Sequence, residues 1–369
     1  MTSLNRVDIA RFEFDFDTTW CSFFTDSRKR IYSRYGGRDE HEPESRMSKA
    51  SLLQTMREVL DVHRTAVAQT NRVAPEASGL GIERSTTPNQ GVIALGSPNV
   101  AGSLFHPEPK SSTTPYDLPL LRKNHHGCVH CHQLKEYSLL QAYYDGRFRR
   151  ESLFQFPYPE ALGIEIDRQH GHRAVDVRSD SAAKTAGLQA GDVIVQAGDV
   201  PIRSELDLRW ALHRVPLDAM TLKLFVARIA QPSEPQPIPR ELTLPTNWRQ
   251  SEISWRKSMR SVPVDWGFRA AEMSKSERRD AKQPTTGLAI HVFSVKPRGF
   301  AAALGLQKGD VIIAAEGETR ERTLAQLRSD LLRRFDPGDE LHLTVKRDDE
   351  TIELIGRFPD WFTDETSVP

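Results

Sequence analysis

The chain is 369 residues long, beyond the size at which a single hydrophobic core stops growing, so several domains are expected. Its 50 Lys+Arg balance 50 Asp+Glu, which leaves no global field to draw in nucleic acid, and no nucleic-acid partner is expected. No apolar run approaches the ~20 residues that cross a bilayer, and three cysteines are too few for a disulfide framework.

In the N-terminal segment, residues 1–64, Phe12 to Phe16 alternates like a strand. Trp20 to Phe24 and Ile31 to Tyr35 read as the arms of a hairpin turning at Asp26 to Arg30. Ser48 then caps a helix that places Leu52, Met56, Val59, Leu60 and His63 near one face. Two strands and a closing helix resemble the C-terminal half of a thioredoxin fold, and Phe23-Phe24-Thr25-Asp26 through Arg34-Tyr35-Gly36-Gly37-Arg38 carries that resemblance. No Cys-x-x-Cys or first β-α unit precedes it, so a dithiol-exchange site is not assigned; Cys21 reads as a small buried hydrophobe. The segment is expected to be a truncated one, and no signal-peptide core is visible at Met1 to Arg6.

Residues 65–127 are punctuated by Ala74-Pro75, Thr87-Pro88 and Gly96-Ser97-Pro98 and lack periodicity, so an irregular linker is expected, with Gly91 to Leu95 as a short strand. The next stretch, residues 128–150, opens on Cys128-Val129-His130-Cys131-His132 and continues as a helix from Gln133 to Gly146. Cys-x-x-Cys-His spacing suits covalent attachment of haem c, with thioethers at Cys128 and Cys131 and His132 as axial ligand. The same residues suit a redox-active or structural disulfide, or a transition-metal site with His132 as a ligand, and a solvated loop is the bland alternative. His125, His126 or His106 would supply a second axial ligand.

Between residues 154 and 246, Leu162 to Ile166 and Ala174 to Val177 read as strands. Then Gly187-Leu188-Gln189-Ala190-Gly191-Asp192-Val193-Ile194 follows an Ala-rich run. That pattern returns as Gly305-Leu306-Gln307-Lys308-Gly309-Asp310-Val311-Ile312, an internal repeat. In each copy the first glycine caps a short helix and the Gly-Asp turn leads into a buried strand. After the first copy Ser204 caps a helix with two apolar stripes, Leu208, Ala211, Leu212 and Val215 on one and Leu206 and Trp210 on another. Leu222 to Val226 and Glu241 to Leu244 close the sheet around a Pro-rich insertion at Gln231 to Pro239. A connector, residues 247–263, leads to the second copy, residues 264–358, and a tail, residues 359–369. There Trp266-Gly267-Phe268 stands where the first copy has Leu162-Gly163-Ile164. Leu288 to Val295, Val311 to Ala314, Leu341 to Val345 and Ile352 to Ile355 read as strands, with a helix carrying Leu324, Leu327 and Leu331 between them.

Both copies resemble the PDZ domains of HtrA-like proteins. The resemblance implies that a peptide adds as a strand beside the late helix while backbone N–H groups of the preceding loop take its terminal carboxylate. Carried over, the peptide-binding residues are Leu162, Gly163, Ile164, Leu208, Ala211 and Leu212 in the first copy, which reads as the more open groove, and Trp266, Gly267 and Phe268 in the second. The helix positions equally suit a plain core stripe. HtrA-like proteins carry a protease domain, yet Gly-x-Ser-x-Gly and Gly-Asn-Ser-Gly-Gly are both absent, as are a P-loop and a dinucleotide fingerprint, so a non-enzyme is expected.

The whole order is similar to the thioredoxin-like/PDZ proteins of planctomycete-type bacteria, on Phe16-Asp17, Trp20, Tyr35 to Arg38, Cys128 to His132 and Tyr158 to Ile164. The expected fold class is α+β multidomain: a partial thioredoxin-like segment, an irregular linker and two PDZ-like β-sandwich or barrel domains. The resemblance implies an exported, periplasmic adaptor for protein or peptide C-termini with a redox or haem-bearing linker; a haem or thiol-redox protein that its PDZ domains localise is the alternative.

Overall fold

A computed structural model describes residues 4–73, 104–124, 127–228, 237–261, 264, 266–281 and 283–359. In chain order, β1 (Cys21–Thr25) and β2 (Ile31–Gly36) are followed by α1 (Lys49–Val73), α2 (Pro119–Asn124) and α3 (Cys131–Tyr144). The first repeat comprises β3 (Ile164–Ile166), β4 (Ala174–Val177), α4 (Ala182–Thr185), β5 (Asp192–Ala197), β6 (Val200–Pro201), α5 (Glu205–Arg214), β7 (Thr221–Arg228) and β8 (Ile238–Thr243). The second comprises β9 (Phe268–Glu272), α6 (Lys275–Asp280), β10 (Ile290–Val295), α7 (Phe300–Ala303), β11 (Val311–Ala315), α8 (Leu324–Arg334), β12 (Glu340–Arg347) and β13 (Glu350–Arg357). The residues form two compact units: Leu4–Asp117 with Phe154–Gln250, and Leu118–Leu153 with Ser251 onward.

In the unit holding the first repeat, a four-stranded sheet in the order β6-β5-β7-β8 faces α5, and β3-β4 forms a two-stranded piece tied to it by the Arg173–Val193 bridge. One cluster of buried side chains, from Leu162 and Ile164 through Ile194 and Val226 to Leu208 and Leu212, fills the interior. The unit holding the second repeat has one antiparallel sheet in the order β13-β12-β11-β10-β9, so β9 is an edge strand.

The repeated Gly-Asp turn has the same construction twice. Asp192 is buried and receives Arg228 Nε and Nη2 at 2.8 and 2.9 Å, together with the Gln189 N–H at 3.0 Å. Asp310 receives Arg347 Nε and Nη2 at 2.7 and 2.8 Å and the Gln307 N–H at 2.8 Å. A bidentate guanidinium satisfies the carboxylate's two oxygens at once, so the aspartate is burial-compatible only because an arginine ends the facing strand.

Several expectations change in the N-terminal segment. The hairpin forms, but Phe12 to Phe16 is not a strand; its alternation instead sets Phe12 and Phe14 edge-on to Phe23 at 5.2 and 6.0 Å. The helix runs past Arg64 to Val73 and its inner face is shifted: Val59 is buried as expected, joined by Ser51, Thr55 and Ala66, and Leu52 and His63 are half-buried, whereas Met56 and Leu60 are exposed. Small and hydroxylated residues face inward because the seat is polar, with Thr55 donating to the Arg203 carbonyl at 2.9 Å and Ser48 to the Arg168 carbonyl at 2.8 Å. Cys21 is partly buried and packs against the first-repeat core. The expected strand Gly91 to Leu95, the imidazoles of His125 and His126 and most of the Pro-rich insertion lie outside the described residues.

Candidate functional site

The predicted carboxylate loops share one local geometry. Gly163 ends the short 3-10 turn Pro159–Leu162 in the left-handed region, φ 86°. A Cβ there would fall 2.0 Å from that of Ser181, the residue that caps α4. Gly267 is left-handed too, φ 63°, with Ala301 N at 3.3 Å from a Cβ built on it, at the start of α7. Each Ala-rich helix of the repeat therefore buttresses the loop two strands earlier, and only glycine fits between them.

The two grooves beside these loops differ. In the first repeat Leu162, Ile164, Leu208, Ala211 and Leu212 are all buried, and every residue from Glu205 to Leu212 is buried whichever way it faces. Phe156 shares their cluster, stacks on His213 with centroids 4.6 Å apart, and its carbonyl accepts Arg209 Nε at 3.2 Å and Nη2 at 3.0 Å. The expectation of an open first groove is thus not met, because the chain's own residues occupy the helix surface on which a ligand would lie.

The second apolar stripe, Leu206 and Trp210, is covered by the N-terminal segment. Trp210 donates its indole N–H to Glu13 at 2.9 Å, lies under the Arg34 guanidinium at 3.6 Å and stacks on His106 at 5.1 Å. Asp207, fully buried on the same helix, accepts the Ser33 hydroxyl and the Arg34 N–H, both at 2.7 Å, and the Arg203 N–H at 3.0 Å. Burial pushes the Asp207 carboxyl up to about 6, against the pull of these donors and of Arg203 and Arg34. Burial likewise pushes the Arg34 guanidinium down to about 10. His106 is held well below 6.5 by burial and by the Arg34 charge. It is therefore neutral, its Nδ1 accepting from Arg34 and its Nε2–H donating to the Pro201 carbonyl at 3.0 Å. Arg209 completes the seam with Asp15 at 3.1 Å, both 1% exposed.

The second groove is built differently. The Met273 N–H bonds the Ala289 carbonyl and the Lys296 N–H bonds the Gly267 carbonyl, both toward β10. By strand alternation Phe268, Ala270 and Glu272 then turn their N–H and C=O groups to the outer edge, where no strand pairs among the described residues. Opposite that edge runs α8. Glu272 accepts the Leu324 N–H at 2.5 Å at one end, and Arg328 reaches the Phe268 carbonyl at 3.4 Å at the other. Trp266 and Phe268 are half-buried. The far side of α8 is sealed by the connector, through the fully buried Ile253, whose N–H bonds the Ser329 hydroxyl at 3.3 Å.

The Cys-x-x-Cys-His motif opens α3. Cys131 and His132 are its first two residues and His130 its N-cap, in a reciprocal capping box with Gln133. Cys128 is exposed, Cys131 half-buried, and both are thiols. The imidazoles of His130 and His132 stack with centroids 6.2 Å apart. Among the described residues no three His, Cys, Asp or Glu side chains gather as a metal site, and no helix is long and apolar enough to cross a membrane.

The PDZ domain family model matches residues 160–228 and 267–355. Among curated proteins, periplasmic serine endoprotease DegP of Salmonella typhimurium is 29% identical over 195 residues, covering 53% of this chain and 36% of DegP. Periplasmic pH-dependent serine endoprotease DegQ of Escherichia coli is 27% identical over 197 residues, covering 53% and 38%. The match thus spans little more than a third of these relatives' length, and it falls on the PDZ region alone. Among solved structures, the HtrA3 PDZ domain bound to a phage-derived ligand aligns with 24% identity over 26% of this chain and 82% of that one, TM-score 0.21. HtrA-type protease AlgW with a decapeptide aligns with 16% identity over 47% and 52%, TM-score 0.23. The chain carries two PDZ domains of the HtrA type, at residues 160–228 and 267–355.

Proposed function

We propose that the protein is a non-catalytic adaptor that captures extended peptides, by strand addition to the outer edge of β9 against α8. The observation that carries this reading is the unpaired edge at Phe268, Ala270 and Glu272 beside a left-handed glycine loop, in a domain whose first-repeat counterpart is already covered. Main-chain hydrogen bonds along such an edge supply affinity, and the flanking side chains supply selectivity. The first PDZ domain then serves as the seat of the N-terminal segment. Reading that segment as half of a thioredoxin fold rests on the β1–β2 hairpin followed by α1. A periplasmic, exported location is part of the proposal, supported by the relatives named periplasmic.

Ala270→Pro tests strand addition. Proline removes an outer-edge donor without touching the ladder to β10, a placement edge strands tolerate. The variant should melt like the parent and lose peptide binding; retained binding would refute the strand-addition mode.

For the linker motif we propose covalent haem c attachment, with a redox dithiol as the competing use of the same thiols. Two cysteines outside any disulfide and an imidazole within five residues at a helix start suit this donor set. When bound, haem would supply one-electron chemistry, with Cys128 and Cys131 holding it and His132 ligating the iron. Protein produced with c-haem maturation machinery should show a Soret band that a Cys128→Ala/Cys131→Ala variant lacks; a colourless product refutes it.

A further inference from the structure

Arg328 lies half-buried between two aromatic rings, 5.5 Å from the Trp266 centroid and 5.3 Å from that of Phe268. Its sole hydrogen bond among the described residues is the long 3.4 Å contact to the Phe268 carbonyl, and its Nε is buried without an acceptor. No carboxylate of the described residues pairs with it, and burial alone, opposed by no acidic neighbour, lowers its pKa. A guanidinium brought this far out of water without a counter-charge is costly to leave unpaired.

The internal repeat shows what such an arginine takes. Arg209 occupies the equivalent position, five residues after the helix N-cap, Ser204 in the first copy and Thr323 in the second. It too sits on an aromatic ring, Tyr158 at 4.3 Å, and donates to a backbone carbonyl, that of Phe156. Unlike Arg328, it also holds a carboxylate, Asp15 Oδ2 at 3.1 Å. The first domain therefore contains in cis the group that the second lacks.

Resting on the strand-addition reading above, we propose that Arg328 is the anchor for the free C-terminal carboxylate of a peptide bound at β9. An antiparallel strand added to the outer edge of β9 ends near Phe268, the first residue of the strand. Its terminal carboxylate then faces the N–H groups of the Trp266-Gly267-Phe268 loop and the Arg328 guanidinium. On binding, the guanidinium exchanges the Phe268 carbonyl, which the new ladder needs, for the ligand's charge. Fork geometry and low hydration suit arginine to this exchange better than lysine.

The test uses the full chain and labelled hexapeptides randomised over Ala, Val, Leu, Phe, Ser and Gln, a pool without acidic side chains, as free acids and as C-terminal amides. Fluorescence anisotropy reads affinity. Amidation and Arg328→Met should each weaken binding by about 10- to 100-fold, the range for a charge-assisted hydrogen bond. The two together should cost little more than either alone, and Arg328→Lys should restore part of the loss. Equal binding of the free-acid pool by parent and Arg328→Met, with unchanged melting, overturns the inference while leaving strand addition standing. Should Arg328→Met melt early, equal binding of acid and amide pools by the parent overturns it instead. Failure of the parent to bind either pool removes the strand-addition reading and this inference with it.

Discussion

Asp15→Asn is the sharpest probe of the covered first domain. The substitution keeps shape and removes the charge facing Arg209, leaving a guanidinium that is 1% exposed without its counter-ion. Breaking one partner of a buried pair costs ~3–5 kcal/mol. Arg209 keeps the Phe156 carbonyl through two donors at 3.2 and 3.0 Å and the Tyr158 ring at 4.3 Å, which places the expectation at the lower end, ~3 kcal/mol. For a unit of roughly 200 residues each kcal/mol moves the midpoint by ~2–4 °C, so a fall of ~6–12 °C is expected in the transition of that unit. Calorimetry of the full chain reads it. The cycle with Arg209→Met sharpens it, since replacing both partners removes the unpaired charge and should recover much of the loss. A fall under ~2 °C, or strictly additive single effects, would refute the account of Asp15 as a ligand-like carboxylate held in cis.

Four further outcomes follow from particular positions. Gly163→Ala places a Cβ 2.0 Å from that of Ser181 at φ +86° and should cost ~2–5 kcal/mol. Gly191→Ala, left-handed but with nothing within 4 Å, should cost only ~1–2 kcal/mol. Arg347→Lys cannot reproduce the two-pronged hold on Asp310 and should lower stability by ~1–3 kcal/mol while peptide affinity stays level; a parallel loss of affinity would move function back to the repeated turn. The seat of α1 is pH-dependent. Burial opposes the charge on His172, but Glu58 at 3.0 Å outweighs it and holds the imidazole above 6.5. Burial also opposes the charge on Glu58, but His172 and Gln54 hold that carboxyl below 4.5. The His172 contribution is complete below its unfolded pKa of ~6.5 and is lost as pH rises through the higher folded value; the Glu58 contribution is lost as pH falls through its depressed value. Exchange of α1 amides, corrected for intrinsic rate, should therefore quicken between pH 6 and pH 8 and cease to do so in His172→Gln. Equal protection at both pH values would contradict the pairing.

Local signals in the chain were legible, and contacts distant along it were not. Gly187 to Ile194 and Gly305 to Ile312 announce a repeated helix, turn and strand because cap, turn and apolar run are adjacent in sequence. Their dependence on Arg228 and Arg347, 36 and 37 residues downstream, leaves no local trace. The two stripes on α5 are visible at helical spacing, but their cover is not, since Glu13, Arg34 and His106 lie 197, 176 and 104 residues before Trp210. Asp207 alternates with Glu205 and Arg209 on a helix of mixed character, so nothing in the sequence marks it as buried; once it is buried, its carboxylate demands donors that the helix itself cannot supply. In α1 the periodicity suggests an apolar inner face, whereas backbone carbonyls of the seat take the hydroxyl of Thr55 in the helix and of Ser48 at its cap. Arg328 could have been noticed by aligning the two copies, where it matches Arg209, but its lack of a counter-ion is visible only in three dimensions.

Amide exchange of the full chain with and without the free-acid peptide pool tests the account most directly. Strand addition at β9 predicts slower exchange at Phe268, Ala270 and Glu272, the residues facing the open edge, with Ile164 to Ile166 unchanged beside the covered helix. Protection confined to Ile164–Ile166, or none at β9 at peptide concentrations that saturate binding, would contradict it.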